Sequence, residues 1–192
     1  IIKAFNIGAD GLESVLDQLI WIGNSFPISQ AEIGEAMNNA ASALAANGNS
    51  LQQAIAIVSA ANATIQDVSK SSTAVRTIAA RISKSTAELE ELGEDAGSIM
   101  ATADLAKQMQ AYGVAILDSN GQLKSTYAIL NDLSKVWDDL DTTSRAAIAN
   151  MLAGTRQQAA FYSIIQNWSD AQEIVADAGA ATGSLMDAQA TR

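Results

Sequence analysis

"ISQAEIGEAMNNAASALAANGNSLQQAIAIVSAAN", residues 28–62, contains two helix starts and the turn between them. Ser29 with Glu32, and Ser50 with Gln53, each have the spacing at which a hydroxyl and a carboxylate or amide satisfy each other's backbone N–H groups. After the first start, Ile33, Met37, Ala40, Ala41 and Leu44 recur at helical spacing; after the second, Leu51, Ala54, Ile55, Val58 and Ile65 do so. Gly48 fits the left-handed position that ends a helix. Two capped amphipathic helices joined this closely predict a helical hairpin, and the rest of the chain extends the pattern.

Upstream, Leu12, Val15, Leu16, Leu19 and Ile20 predict an amphipathic helix ending near Gly23 and Asn24, before the only proline, Pro27. Downstream, "DVSKSS" reads as a linker. Val75, Ile78, Ala79 and Ile82 then begin a fourth helix with room to run to Gly93, its middle weakened by Ser83, Ser85 and Thr86, which allow a break there. A further helix is expected near 102–111. In "GVAILDSNGQLKS" the period shortens around Asn120-Gly121, a pair suited to positive φ, which predicts a short β-hairpin near 114–124 leaning on the helices.

Ser125 is a natural N-cap for the stripe Tyr127, Leu130, Leu133, Val136, Trp137 and Leu140. Asp141 or Thr142 caps "SRAAIANMLAGTRQQAAFYSIIQNW", one helix weakened at Gly154 and carrying Phe161, Ile164, Ile165 and Trp168 on a bulky face. Ser169 and Gln172 repeat the capping pattern before a last helix softened by Gly179 and Gly183. The fold class is therefore all-α, a set of helical hairpins or a bundle with one short β-hairpin. Residues 1–192 read as a single helical module, with 9–97 and 98–192 as candidate sub-units. The opening without Met and the end within a weakly helical pattern point to a piece of a longer protein.

Composition narrows the chemistry. The chain has 21 Asp and Glu against 11 Lys and Arg, a formal charge of −10, and neither His nor Cys. Imidazole acid–base catalysis, thiolate nucleophiles, disulfides and most zinc sites are absent with those residues. A negative chain repels phosphate backbones, which argues against a nucleic-acid module. No apolar run approaches the ~20 residues that cross a bilayer, so a chain soluble in water is expected.

Glu88, Glu90, Glu91, Glu94 and Asp95 lack the spacing by which oxygens converge on a hard cation, and read as a solvated helix end. Asp138, Asp139 and Asp141 fall between two helices, where Asp141 serves as a cap. Lys70, Arg76, Arg81 and Lys84 lie in a segment without acids. If that segment is helical, Lys70, Arg81 and Lys84 share a face, and the basic residues read as a polar face, as partners of acidic neighbours or, less simply, as a phosphate contact. Tyr127, Trp137, Phe161, Tyr162 and Trp168 are core anchors before they are a ligand pocket.

The ordered succession of residues 28–62, "SSTAVRTIAARISKSTAELEELGED", "LDSNGQLKSTYAILNDLSKVWDDL" and "AAIANMLAGTRQQAAFYSIIQNW" resembles the tail tape measure proteins of long-tailed bacteriophages and prophages. More narrowly, it is similar to the minor-tail region of the TP901-type family over residues 10–180. That resemblance implies a structural protein of the tail-tube lumen, present in the host cytoplasm during assembly, that helps set tail length and leaves ahead of the genome. It implies contacts with tail-tube and tail-tip or baseplate proteins and with tail assembly chaperones, and homo-oligomerisation in the lumen. It implies no cofactor, no catalytic residue, no sequence-specific nucleic-acid binding and no membrane contact by this segment. The positions matching the family pattern are Trp137, Asp138, Asp139, Leu152, Gly154, Arg156 and Gln157, with packing and turn geometry as their implied role, and Tyr127 joins them as a structural position at the start of the helical stretch to Leu140. The alternatives are a helical interaction domain of another bacterial secreted or filamentous assembly and, behind it, a cell-wall lytic enzyme. Sustained heptads would favour a coiled-coil assembly, and these interrupted helices lack them.

Overall fold

The computed structural model describes residues 1, 3–8, 11–95, 97 and 99–177. Its helices are α1 (Leu12–Ser25), α2 (Gln30–Ala46), α3 (Leu51–Ile65), α4 (Val68–Ser83), α5 (Thr86–Glu91), α6 (Thr102–Ala111), α7 (Thr126–Val136), α8 (Thr142–Ala153), α9 (Gln158–Gln166) and α10 (Trp168–Asp177), with a 3-10 turn at Trp137–Asp139. The expected softening of the last helix at Gly179 and Gly183 lies outside the described residues.

Helix α3 organises the rest. Its run Ala54–Asn62 is buried on every side, beyond the single stripe read from the sequence. A helix apolar all round must be surrounded, and α3 contacts α2, α4, α7, α9 and α10. Its bulkier side chains, Ile55, Ile57 and Val58, are at most 1% exposed, and each contributes roughly 1.5–3 kcal/mol of transfer free energy. The small residues Ala54, Ala56, Ala60 and Ala61 on the same helix let its neighbours approach closely. Helix α2 packs on α4, and α4 on α8.

The two capping boxes form as read: Ser29 Oγ accepts from Glu32 N and Ser50 Oγ from Gln53 N, each at 3.2 Å. Gly48 turns the hairpin at φ +72°. The break after Ser83 occurs at Lys84, a left-handed residue at φ 61°. Ser125 and Asp141 are N-caps, accepting from Ala128 N and Ser144 N.

Several expectations are corrected. The β-hairpin at 114–124 does not form a ribbon: no strand occurs among the described residues, and one antiparallel bridge joins Leu117 to Leu123. The Asp118 carboxylate explains this, because Oδ1 accepts from both Asn120 N and Gln122 N, and a side chain thereby holds a turn that strand pairing would otherwise close. "DVSKSS" is no linker, since Asp67 Oδ1 accepts from Lys70 N and caps α4 at its start. The helix expected across Gly154 is two helices, α8 and α9. Ser169 is not an N-cap, because it lies inside α10, which begins at Trp168, two residues before the start that a cap at Ser169 would set. In α1 the buried residues are Val15, Asp17, Gln18 and Ile22, while Leu12 and Leu16 of the predicted stripe are exposed.

Candidate functional site

The positions singled out in the sequence fall into two groups and one outlier. The first group surrounds the turn between α8 and α9. Gly154 ends α8 at φ 70° and ψ 177°, a conformation essentially confined to glycine. A Cβ there would stand 3.3 Å from Nη1 of Arg81. Arg81, buried in α4, donates through Nε to Met151 O at 3.2 Å and through Nη2 to Asn150 O at 3.5 Å. These carbonyls lie at the C-terminal end of α8, the negative end of the helix dipole, where Asn150 O also accepts from Gly154 N at 3.0 Å. Beyond the glycine, Arg156 Nη1 donates to Gly93 O at 2.8 Å and Gln157 Nε2 donates to Glu94 Oε1 at 3.1 Å. Leu152, two residues before the glycine, is fully buried. Gly154, Arg156 and Gln157 thus fasten the α8–α9 turn to α4 and to the segment after α5.

The second group is aromatic. Trp137 stands edge-on to Phe161 at 5.8 Å and to Tyr162 at 5.9 Å between ring centroids. Arg145 lies over the indole, its Cζ 5.6 Å from the centroid, and donates to Trp137 O and Asp138 O. Asp138 and Asp139 are exposed, and the nearest cation to Asp138 is Arg145, with Nη2 3.9 Å from Oδ1. Phe161 is fully buried, but Tyr162 remains 37% exposed, so the aromatics divide between core and surface.

Tyr127 belongs to neither group. Its ring packs on Trp168 at 5.0 Å, its burial raises the phenol pKa, and its N–H donates to Asn49 Oδ1 at 2.8 Å. Asn49 Nδ2 in turn donates to Leu44 O, while neighbouring Asn47 donates to Ala79 O and Thr126 Oγ1. The turn of the first hairpin therefore docks the start of α7. These asparagines were missed in the sequence, where "NGN" gave only a turn signal. Ser163 was missed too: its hydroxyl lies 2.9 Å from Ala60 O and accepts from Thr64 N, tying α9 to α3.

The charged runs are absorbed into the fold. The acidic run is more than a solvated helix end, since Arg76 bonds Glu88 at 2.7 Å and Glu91 at 3.0 Å and Glu94 takes the bond from Gln157. Lys70 pairs with Asp67, and the guanidinium of Arg81 points into α8, so the basic residues of α4 do not form one outward face. Among the described residues no cluster of acidic side chains could hold a metal ion, and no helix is long and apolar enough to cross a membrane. Chemically, the arrangement around Gly154 is an interlock: its cations and acceptors are spent on one another and on helix ends.

Comparison with known proteins gives this interlock a setting. A family model described as phage-related minor tail protein matches residues 1–154. The chain belongs to the phage-related minor tail protein family. It is a phage tail protein, associated with the virion and with other components of the tail. The match ends at Gly154, so α9 and α10 of this minor tail protein, which cover α3, lie beyond the matched residues. No solved structure matches the chain.

Proposed function

We propose that this chain is a folded helical module of a tape measure protein, of the TP901-type, from a long-tailed phage or prophage. It works as structure and not as a catalyst, taking part in tail length determination, tail assembly and genome ejection from a place in the tail-tube lumen. Its partners are tail-tube and tail-tip or baseplate proteins, assembly chaperones and further copies of itself. The match over residues 1–154 carries the reading. The fold refines it, because Asn47 to Thr126, Arg81 to Met151 and Ser163 to Ala60 tie distant parts of the chain together. A chain so tied contributes its folded dimension to the tail, not the extended length of a ruler.

In-frame deletion of this segment from the phage gene, with tail lengths measured by electron microscopy, tests the proposal. A continuous helix of this length would span about 290 Å. The folded module predicts tails that shorten by far less than that, or tails that fail to initiate. Tails that form normally but are shorter by the full helical length would contradict it. A zymogram of the purified chain on cell-wall substrate is expected to show no clearing, and clearing would overturn the non-catalytic part.

A further inference from the structure

Among the described residues, the large apolar side chains most exposed are Leu12, Leu16 and Tyr162. Tyr162 differs from the two leucines in its surroundings. It lines a surface cleft of about 390 Å³ with Trp137, Ile165, Gln166 and Asp138. The walls are aromatic, Ile165 supplies an apolar side, and the Asp138 carboxylate stands fully in solvent. Asp139, also exposed, adjoins Asp138 in the same 3-10 turn.

We propose that this cleft is a docking site for a basic segment of a partner protein, with one arginine or lysine side chain lying against Tyr162 and Trp137 and its charge facing Asp138. The molecule already uses this chemistry once. Its own Arg145 lies over the Trp137 ring, with a nitrogen 3.9 Å from Asp138 Oδ1. A cation held over an aromatic face while paired with a carboxylate gains from both the ring quadrupole and the charge. Aromatic walls beside a charged rim are also the composition that concentrates binding energy at interfaces. Charge selects the occupant: the carboxylates of Asp138 and Asp139 outnumber the Arg145 guanidinium beside them, so a second copy of a chain with formal charge −10 would bring like charge to this rim, whereas a basic segment is attracted to it. The inference concerns the chemistry of the partner alone and stands whether or not the chain is of the tape measure type.

The test is titration of the isotopically labelled 192-residue chain, followed by NMR, with the peptide acetyl-Leu-Arg-Leu-amide and with its Leu-Gln-Leu and Leu-Glu-Leu counterparts. The arginine peptide is expected to shift the Trp137 indole N–H and the amides of Asp138 and Tyr162, while the indole signals of Trp21 and Trp168 stay in place. Asp138→Asn and Tyr162→Ala, both at exposed positions, should each weaken binding about fivefold to tenfold, and added salt should weaken it further. Equal shifts from all three peptides would reduce the cleft to a general apolar surface and overturn the proposal. So would saturable shifts that survive both substitutions, or no shift at all. Shifts that grow with protein concentration without any peptide would identify a second copy as the occupant and overturn it as well.

Discussion

Gly154 combines a backbone angle that only glycine tolerates with an arginine packed against its α-carbon. Gly154→Ala is therefore expected to destabilise the chain by about 2 kcal/mol, read from denaturant unfolding, through backbone strain and displacement of the Arg81 guanidinium. Asn49→Ala should cost about 1–2 kcal/mol, because it strands the Tyr127 N–H, while the Leu44 carbonyl loses the side-chain bond and keeps the one from the residue 49 backbone N–H. The pH dependence follows from carboxylates held below their ordinary range: Glu32 by the Ser29 hydroxyl, Asp132 by Lys135 and Lys124, and Asp141 by the Ser144 N–H. Folding favours their ionised forms. Their contribution is thus complete above the unfolded-chain values near pH 4 and is lost as pH falls through the lower folded values. Tyr127 acts at the other end, where burial favours the neutral phenol and stability is lost as pH rises above about 10. Thermal melts across pH should show a plateau between these limits. A melting temperature that rises below pH 4 would contradict the assignment.

Among the elements, those with caps written into the local sequence were legible. Ser29, Ser50, Ser125 and Asp141 each mark a helix start by a side chain that bonds three residues ahead. Where the deciding partner is distant in sequence, reading failed. The break after α8 depends on Gly154 meeting Arg81, and the face of α1 that is buried depends on where α2 lies, so periodicity alone placed Leu12 and Leu16 inward. The hairpin near 114–124 was misread because Asp118, a turn-former, takes with its carboxylate the Gln122 N–H that a ribbon would pair with the Asp118 carbonyl, and that carbonyl accepts from Gly121 N instead. The positions proposed as a site were legible as residues but not as groups, since Tyr127 and Trp137 belong to separate ring clusters. An element-level consequence concerns α9 and α10. A chain truncated after Gly154 keeps every residue matched by the family and uncovers α3. It is expected to lose its cooperative melt and to bind a hydrophobic dye, whereas retention of a sharp melt would show that α9 and α10 are dispensable to the core.

At the scale of the molecule, an acidic, alanine-rich chain encloses one helix, buried on every side over Ala54–Asn62, within neighbours drawn from both halves of the sequence. That topology separates a folded module from a ruler. A tail protein built this way occupies volume and presents surfaces, and its length in the tail is not the sum of its residues. Small-angle X-ray scattering of the 192-residue chain measures the difference most directly. A radius of gyration of about 16 Å is the result predicted for the folded unit. A value near 80 Å, that of a straight helix of the same chain, would contradict the account.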